Sequence, residues 1–448
     1  MENNRWKLPI AVSVWLLCLT ALCTAITSKW FANERQLLFP TTVLLAINSL
    51  IIHQVLINVH DVPKKIFFIL LLPAALFAYQ PSTTSSDFND YISCAQEFIK
   101  GVNPYETPCN IDHTRRYIYG PIFLLLSATP HLFTSENLIH YFSLKTLMMI
   151  AQIANVVLLF KLLAVAEPQS TALQKTLLYA TGLIIMFESL QGGHNDTLVV
   201  TSLLGSLYAY SRGDITRSSI FLFLGGLIKM IPFFMLPFMI AAHFHHRAEK
   251  GCATQKAHSH VTILLIAITL AVAIISLPYF HAYFHNVIAL SNIHAPSDLN
   301  IFPLLIYGFI KLLSIPPIPA LHLTGIISLA LGTSLLIVLY LHVWRSGVVE
   351  YKKMIKYFLL TAIAVFTVYP HWAMSWYLLW ILPLILLSTS LSMTKKLFIG
   401  AMMIEILSIA LPVPLAIIIS STIMLYYYIE KSEIPFQNKY RFFQIFRQ

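Results

Sequence analysis

Residues 321–343 have the sequence LHLTGIISLALGTSLLIVLYLHV, a run without Asp, Glu, Lys or Arg. An α-helix of this length spans the hydrocarbon core of a bilayer, which is about 30 Å thick. Backbone amides in lipid have no water to bond, so a lipid-exposed run must form a helix that satisfies its own hydrogen bonds. The run therefore predicts a transmembrane helix, and similar runs recur along the chain.

The composition of the whole chain agrees with this prediction. Of the 448 residues, 57% are hydrophobic and 11% are charged, whereas soluble domains carry about 25% charged residues. The formal net charge is +10, but no basic face with interleaved aromatic residues is apparent, as nucleic-acid binding would require. The composition thus predicts a polytopic helical membrane protein and excludes a soluble domain or a nucleic-acid-binding module.

The apolar runs predict about fourteen transmembrane helices in a single integral membrane domain, residues 1–448. The predicted spans are residues 8–27, 37–58, 66–80, 143–166, 173–189, 197–210, 218–229, 231–245, 261–280, 321–343, 357–370, 375–391, 397–411 and 413–429. Residues 8–27 also have features of a signal peptide, but the run is long enough to stay in the bilayer, which favours an uncleaved first span.

The distribution of Lys and Arg indicates the orientation of the chain. Arg5 and Lys7 precede the first span and place the N-terminus in the cytoplasm. With this orientation, 21 of the 29 Lys and Arg residues fall on the cytoplasmic side. The long connections 81–142 and 281–320 are then extracytoplasmic, facing the periplasm or exterior of what we expect to be a bacterial inner membrane.

The first extracytoplasmic connection contains DFNDYISCAQEFIKGVNPY at 87–105, which has the pattern of an amphipathic helix. Its apolar residues recur on one face: Phe88, Tyr91, Ile92, Ala95, Phe98 and Ile99. Asp87 is expected at the N-cap and Gly101 at the C-cap. We predict that this helix lies in the outer membrane interface with its apolar face toward lipid. Residues 118–133, which two prolines interrupt, predict a second interfacial or re-entrant segment.

Two carboxylates three residues apart, Asp87 and Asp90, are the first candidates for chemistry. Both can be explained as helix-capping groups, since a carboxylate near a helix N-terminus contributes about 0.3–1 kcal/mol. The functional alternative is that one of them faces a cavity as a general base. The residue types alone leave both interpretations open.

Two further polar clusters fall at predicted extracytoplasmic ends of spans. The segment GGHNDT at 192–197 is expected either in a polar turn or along a cavity, because such residues are costly at membrane depth. Lys229, in GGLIKMIPFF, either snorkels to the interface, pairs with Glu188 or binds an anionic group. Pro232 favours the last interpretation, because it breaks the helix nearby and frees backbone groups.

The aromatic segment YPHWAMSWYLLW at 369–380 forms the fourth cluster. Aromatic residues are common at membrane interfaces, and such a belt explains Trp380. His371, next to Trp372, is interpreted as a hydrogen-bond donor to a phosphate. The remaining histidines lack Cys or carboxylate residues at ligand spacing, so no metal site is predicted. Glu405, within a predicted span, has no assigned role.

Cys94 and Cys109 share the first extracytoplasmic connection, in a compartment that permits disulfides. A disulfide between them would join the amphipathic helix to the GVNPY turn. The sequence is equally compatible with two free thiols, because it does not fix the distance between the two side chains.

Taken in order, several segments resemble the GT-C superfamily of integral membrane glycosyltransferases. The resemblance is strongest to glycosyltransferase family 87 and to polyprenol-phosphate-mannose-dependent mannosyltransferases. The segments are DFNDY…GVNPY, YGPIFLLL, GGHNDTLVV, GGLIKMIPFFMLPF and PHWAMSWYLLWILPLI, between residues 87 and 385. Three predicted spans precede the first of them, whereas the simplest family members begin with one.

The resemblance implies an all-α, GT-C-like bundle with interfacial helices in the first extracytoplasmic connection. It implies an enzyme that moves a sugar, with mannose expected, from a polyprenyl-phosphate donor to a glycolipid or glycan acceptor. One base and one attack imply inversion, so a β-linked donor gives an α-linked product. We expect no required cofactor besides the lipid-linked co-substrate, and the sequence leaves dependence on a divalent metal open.

The resemblance also implies roles for individual residues. Asp87, followed by Tyr91 and the Gly-x-Asn-Pro-Tyr turn, matches the general base of the family, with Asp90 as the reserve candidate. Lys229 and His371 match positions expected to hold the donor phosphate. Further phosphate candidates are Arg115 and Arg116, and the expected substrate pocket comprises Tyr91, Asn103, Tyr105, Tyr119, His194, Asn195, Asp196, Trp372, Trp376 and Tyr377.

A secondary transporter or a lipid-linked sugar flippase is the main alternative. Such a protein predicts broken helices near the bilayer midplane in two related halves. No internal symmetry of this kind is apparent, and the polar clusters gather at one predicted face. A non-catalytic scaffold leaves Lys229 and the His-Asn-Asp cluster unexplained.

Overall fold

A computed structural model describes residues 86–111, 114–180, 182, 185–249, 279, 281–283, 285–286, 301–346, 350–368, 375–391 and 393–394. All regular secondary structure in these ranges is helical, in agreement with the all-α prediction. The α-helices are α1 Ser86–Ile99, α2 Pro121–Ala128, α3 Asn137–Ala166, α4 Gln169–Ala180, α5 Asp196–Ser211, α6 Ile215–Gly226, α7 Leu236–Glu249, α8 Ile301–Leu312, α9 Pro317–Ser346, α10 Tyr351–Val368 and α11 Leu378–Ser388. Short turns of 3₁₀-helix lie at Thr129–Leu132, Ile231–Met235 and Ser375–Tyr377, and a π-helix lies at Ile185–Gln191.

Two helices in the described ranges are long and apolar enough to cross a membrane, namely Asn137–Ala166 and the part of α9 from His322 to Arg345. Shorter apolar helices cover Pro121–Leu132, Ile215–Gly226, Ile231–Phe244 and Leu378–Ser388. Both long helices coincide with predicted spans. The predicted spans at 8–80 and 397–429, and nearly all of the span at 261–280, lie outside the described residues.

Helix α5 lies at the centre of the packed helices. It packs against α3, α6, α10 and α11, and it also contacts the turn Ile231–Met235. Val199, Leu203 and Leu207 are fully buried, and buried side chains point in all directions around this helix. A helix that is apolar all round belongs in the interior. Its N-terminus carries the His-Asn-Asp cluster, so the packing of α5 fixes the position of that cluster.

A proline separates α6 from α7, as the sequence predicted. Pro232 lies in the first turn of the 3₁₀-helix Ile231–Met235, which follows the end of α6 at Gly226. Proline has no N–H to continue the helical ladder. Lys229 falls inside this interruption, between the two helices, instead of on a regular helical face.

A close approach of two backbones brings residues 117–120 to the same interruption. The Gly120 N–H donates to the carbonyl of Ile228 at 2.8 Å, and the Ile122 N–H donates to the carbonyl of Leu227 at 3.0 Å. A Cβ at Gly120 would lie 2.0 Å from the Leu227 carbonyl oxygen. Glycine is needed at this position, because no side chain fits between the two backbones.

Helix α1 forms where the sequence predicted it, but its environment differs from the prediction. Phe88, Tyr91 and Ala95 are fully buried against other parts of the protein, and only Ile99 among its predicted apolar residues is exposed. The apolar face therefore packs on the protein core instead of facing lipid. Asp87 was predicted at the N-cap, but the helix begins at Ser86, so Asp87 is its second residue and lies in the first turn.

The structure confirms one further prediction for the connections and corrects another. Gly101 follows α1 with a φ of +88°, which confirms the predicted C-cap. The connection 281–320 was treated as a loop, but it contains α8 at Ile301–Leu312 and the start of α9. Helix α8 packs against α9. The apolar composition of α8 was compatible with this helix, which was missed because of its short length.

Candidate functional site

A cavity of about 400 Å³ opens beside the first turn of α1. Five predicted site residues line it: Asp87, Asp90, Arg115, Arg116 and Tyr119. The rest of its wall comes from Cys94 on α1, from the chain on both sides of Arg115, and from His285 and Asn286. The cavity thus brings together two carboxylates and two guanidinium groups.

His194 links Asp87 to a second carboxylate, that of Glu188. Its Nδ1 lies 3.7 Å from Oδ2 of Asp87, and its Nε2 lies 3.3 Å from Oε2 of Glu188. The ring of Trp376 stacks on the imidazole, with 4.2 Å between centroids and 14° between planes. This buried histidine is therefore held between two carboxylates, with its Nε2 closer to Glu188 than its Nδ1 is to Asp87.

Lys229 forms an ion pair with Asp196 behind the cavity. Its Nζ lies 2.9 Å from both carboxylate oxygens of Asp196, whose side chain is fully buried. Three aromatic rings surround the ammonium, with centroids 5.8, 4.6 and 5.4 Å away: those of Tyr119, Tyr377 and Trp380. Such rings attract a cation through their negative faces. Lys229 thus pairs with Asp196 and not with Glu188, and its charge is balanced within the protein.

Tyr91 and Tyr119 lie between the two groups of carboxylates. Burial raises the pKa of the Tyr91 hydroxyl, and the negative charges of Asp87 and then Asp196 raise it further. Burial likewise raises the pKa of Tyr119, followed by the effects of Tyr91 and Asp87. The two rings meet edge to face at 4.8 Å. Both phenols therefore stay protonated and are available as hydrogen-bond donors near Asp87.

Asp90 and Arg115 form an ion pair on the cavity wall. Nη2 of Arg115 lies 3.1 Å from Oδ2 of Asp90, and the Arg115 side chain is 44% exposed. An exposed pair of this kind contributes about 0–1 kcal/mol to stability, so an incoming anion can replace it at little cost. The neighbouring Arg116 is exposed and makes no ion pair with another described residue. Asp90 is therefore paired with a guanidinium group, whereas the ion-pair contact of Asp87 is with the imidazole of His194.

A disulfide and a local hydrogen-bond network connect this wall to α1. Cys94 and Cys109 are bonded, with sulfurs 1.97 Å apart. The side-chain oxygen of Asn110 accepts hydrogen bonds from two backbone amides of the same loop, at 2.7 and 2.8 Å. The loop that carries Arg115 is consequently fixed relative to the helix that carries Asp87.

Some predicted pocket residues serve the fold of the loop and do not line the cavity. The side-chain oxygen of Asn103 accepts a hydrogen bond from the backbone N–H of Tyr105 at 3.1 Å. Tyr105 is buried, and its hydroxyl donates to the carbonyl of Tyr119 at 2.8 Å. Asn195 is fully buried at the start of α5. His371, Trp372 and Glu405 lie outside the described residues.

Lys145 belongs to the site, although the sequence analysis assigned it no role. It is 1% exposed, and its ammonium donates to the carbonyls of Leu190, at 2.9 Å, and of Gln191. The ammonium also lies 5.0 Å from the centre of the Phe88 ring on α1. Lys145 therefore ties the GGHNDT segment to α1. A lysine within an apolar run was the available signal, because such a residue needs a buried partner.

Gly193 allows this close packing. Its φ is +70°, in the left-handed region that favours glycine. A Cβ at this position would lie 2.5 Å from the Phe88 ring and 3.3 Å from Nζ of Lys145. The glycine therefore lets the His-Asn-Asp cluster approach α1.

The connection 281–320 also contributes to the site. The side-chain amide of Asn286 donates to the carbonyls of Tyr105 and Tyr117 at 2.8 and 3.1 Å. This contact was not predicted, because no local sequence pattern indicates that residue 286 meets a loop so distant in the chain. Among the described residues, no group of three or more His, Cys, Asp or Glu side chains is arranged to hold a metal ion.

Comparison with known families identifies one match. Residues 11–245 match the MptA_B family model, described as alpha-(1->6)-mannopyranosyltransferase, N-terminal domain. The matched region covers slightly more than half of the chain and contains Asp87, Glu188, His194 and Lys229, but it ends before Trp376. No curated protein matches the chain.

Proposed function

The chain belongs to the alpha-(1->6)-mannopyranosyltransferase family and is a glycosyltransferase, and we propose that it uses a polyprenyl-phosphate-linked mannose as donor. The acceptor is a hydroxyl of a glycolipid or glycan, reached at the extracytoplasmic face of the membrane. Given the linkage in the family description, we assign the attack to a primary 6-hydroxyl of a mannose residue. Family membership argues against the transporter, flippase and scaffold alternatives.

Asp87 is the proposed general base, and one observation carries this assignment. Its carboxylate lines the cavity, while His194 approaches it from the buried side at 3.7 Å. A base must be open to the acceptor on one side and held in position on the other. Asp90 also lines the cavity, but its carboxylate is bound to Arg115.

Arg115 and Arg116 are the proposed first contacts of the donor phosphate, because both guanidinium groups line the cavity with Asp87. Guanidinium groups bind phosphate through paired hydrogen bonds. Lys229 and His371 remain candidates for the same phosphate. For Lys229 this role requires that its ammonium turn from Asp196 toward the phosphate, which the phosphate charge favours.

The proposed reaction is a single displacement with inversion. The acceptor oxygen forms a bond to the anomeric carbon as its proton passes to Asp87. The bond from that carbon to the phosphate oxygen breaks, and the lipid phosphate leaves with the electron pair. Cationic groups stabilise the charge on the leaving phosphate. A β-linked donor gives an α-linked product, and no metal or other cofactor is required in this scheme.

A membrane location with about fourteen spans is part of the proposal, and α9 offers support. Its exposed side chains include Ile326, Val338 and Leu341, as expected of a helix that faces lipid. The length of α3 from Lys145 to Ala166 is about 30 Å, close to the thickness of the hydrocarbon core. The site at the first end of α3 then faces the periplasm or exterior, and the other end faces the cytoplasm.

The central experiment compares Asp87→Asn with Asp90→Asn in lipid nanodiscs. Transfer from labelled polyprenyl-phosphate mannose to a mannose-terminated acceptor is measured, together with donor binding. We expect Asp87→Asn to lower transfer by about 10²–10⁴-fold with donor binding retained, which is the contribution of a general base. Asp90→Asn should lose far less. Wild-type transfer by Asp87→Asn, or a larger loss in Asp90→Asn, would remove Asp87 from this role.

A further inference from the structure

A second cavity lies at the opposite end of the helices from the candidate site. Its volume is about 330 Å³, and its walls come from the C-terminal end of α3, the first turns of α10 and the C-terminal end of α11. Lys352, Lys356, Tyr351, Ser388 and Ser390 supply polar groups to its lining. The sugar-transfer scheme uses none of these residues.

The two lysines of this cavity form a like-charge pair on one helix face. Lys352 and Lys356 are four residues apart on α10, so their side chains are neighbours. Like charges at this spacing oppose helix formation unless an anion lies between them. Among the described residues neither lysine has an ion-pair partner, whereas the adjacent Lys353 reaches Glu350 at 4.0 Å and does not line the cavity.

The carboxylate in the cavity wall does not supply the missing partner. Oε1 of Glu167 is 2.5 Å from Nζ of Lys175, which is fully buried. The same ammonium donates to the carbonyls of Leu386 and Thr389, at 2.9 and 2.5 Å. The Glu167–Lys175 pair is therefore neutral and closes the end of the bundle, which leaves Lys352 and Lys356 as the net charge of the cavity.

Uncharged donors complete the site. The hydroxyl of Tyr351 is buried and has no hydrogen-bond partner among the described residues. Tyr351 and Lys352 lie in the first turn of α10, which carries the positive end of the helix dipole, and Lys356 lies one turn further along the helix. Two ammonium groups, a phenol and a helix N-terminus together match the oxygens of a phosphate group.

We propose that this cavity binds a phosphate group at the cytoplasmic end of the protein, as carried by the headgroup of an anionic phospholipid. This part of the proposal rests on the proposed orientation, in which the cavity lies at the cytoplasmic headgroups, about 30 Å along the helices from the catalytic end. The proposal does not depend on the sugar or the acceptor. Its test requires no donor, so its outcome is independent of sugar transfer.

The experiment compares the double variant K352M/K356M with K353M and the unchanged protein. Each is placed in phosphatidylcholine nanodiscs, with or without phosphatidylglycerol, and its thermal unfolding midpoint is measured. We expect phosphatidylglycerol to raise the midpoint of the unchanged protein and of K353M, and to have no effect on K352M/K356M. In phosphatidylcholine alone, K352M/K356M should unfold at or above the midpoint of the unchanged protein, because the like-charge pair is gone.

Two outcomes would overturn the proposal, and a third would change the source of the phosphate group from a lipid to a soluble compound. A full shift in K352M/K356M, or an equal loss in K353M, shows that phosphatidylglycerol acts through general surface charge. Inorganic phosphate is titrated into phosphatidylcholine nanodiscs as a separate arm. A shift with inorganic phosphate that depends on Lys352 and Lys356 supports the site and assigns it to a soluble phosphate compound.

Discussion

The two ends of α3 carry buried lysines in opposite electrostatic settings. Behind the candidate active site, three acidic side chains accompany two lysines in the described part of the chain: Asp87, Glu188, Asp196, Lys145 and Lys229. At the other end, one acidic side chain accompanies three lysines: Glu167, Lys175, Lys352 and Lys356. The excess of carboxylates at the candidate active site favours removal of a proton from an acceptor hydroxyl. The excess of lysines at the other end favours binding of an anion.

The partners of Lys175 and Lys229 also differ. Lys175 binds one carboxylate and two backbone carbonyls at helix ends, which are parts of the fold. Lys229 binds the side chain of Asp196 and faces aromatic rings, which can move without disturbing a helix. A lysine that caps backbone carbonyls, such as Lys175, thus has a structural role, whereas a lysine whose partners are side chains, such as Lys229, is free to rearrange toward a substrate.

The largest expected effect on stability follows from Lys175→Met. This change leaves Glu167 and two carbonyls without their cation, and removal of one partner of a buried pair costs about 3–5 kcal/mol. The free energy of unfolding in detergent measures the loss, with Lys353→Met as an exposed control. A Lys175→Met protein as stable as the control would contradict the structural role of this lysine.

Lys229→Met sharpens the comparison. Alone it should destabilise the protein for the same reason, because it leaves the buried carboxylate of Asp196 unpaired. The double variant Lys229→Met/Asp196→Asn should regain much of this stability, since no buried charge remains. We expect its sugar transfer to stay low. Recovery of both stability and transfer would show that Lys229 serves only as the partner of Asp196.

Removal of the disulfide should have the next largest effect on stability. Within the described residues, the active-site end has a disulfide and the other end has none. Closure of a loop of about 15 residues contributes about 3 kcal/mol. Replacement of both Cys94 and Cys109 by Ser should therefore lower the free energy of unfolding by about this amount. The unfolding midpoint with and without reductant measures the effect. An unchanged midpoint in both tests would mean that the loop is held by its other contacts.

Glu188→Gln should have a smaller effect, and on catalysis more than on stability. Loss of the charged partner of His194 removes an interaction of about 1.5–3 kcal/mol, or about 10–100-fold in rate. Glu97→Gln, on the exposed face of α1, is the matched control. Equal rates for the two variants would exclude Glu188 from the active site.

The smallest expected effect concerns pH and His131. Burial, followed by the positive charge of the adjacent His140, lowers the pKa of His131 to about 4. The unfolded chain binds this proton near pH 6.5 and the folded protein does not, so stability falls as the pH drops from about 6.5 toward 4. His131→Gln should weaken this dependence, as measured by unfolding midpoints across that range. An identical pH dependence in both proteins would contradict the prediction.

The helices near the site were largely predictable from the sequence, because each depends on a local pattern. The prolines and glycines around Lys229 marked the break between α6 and α7, and the period of apolar residues marked α1. The direction of the apolar face of α1 was not predictable. A face that packs on protein and a face that lies on lipid have the same amphipathic pattern.

The pairings of the charged residues were harder to predict from the sequence than the helices were. The sequence offered Glu188 as a partner for Lys229, but Asp196 occupies that position and Glu188 meets His194. Lys145 was visible only as a charge in an apolar run. Its acceptors are backbone carbonyls, which every residue has, and so no sequence pattern could identify them.

The sequence by itself determined an all-helical chain, the positions of the helices near the site and the family-like order of its polar segments. These depend on the spacing of apolar, proline and glycine residues, which acts over one or two helical turns. Only the tertiary structure decided that His194 stands between Asp87 and Glu188, and that two lysines of α10 share a cavity with α3 and α11. Such contacts join residues far apart in the chain, and the packing of whole helices fixes them.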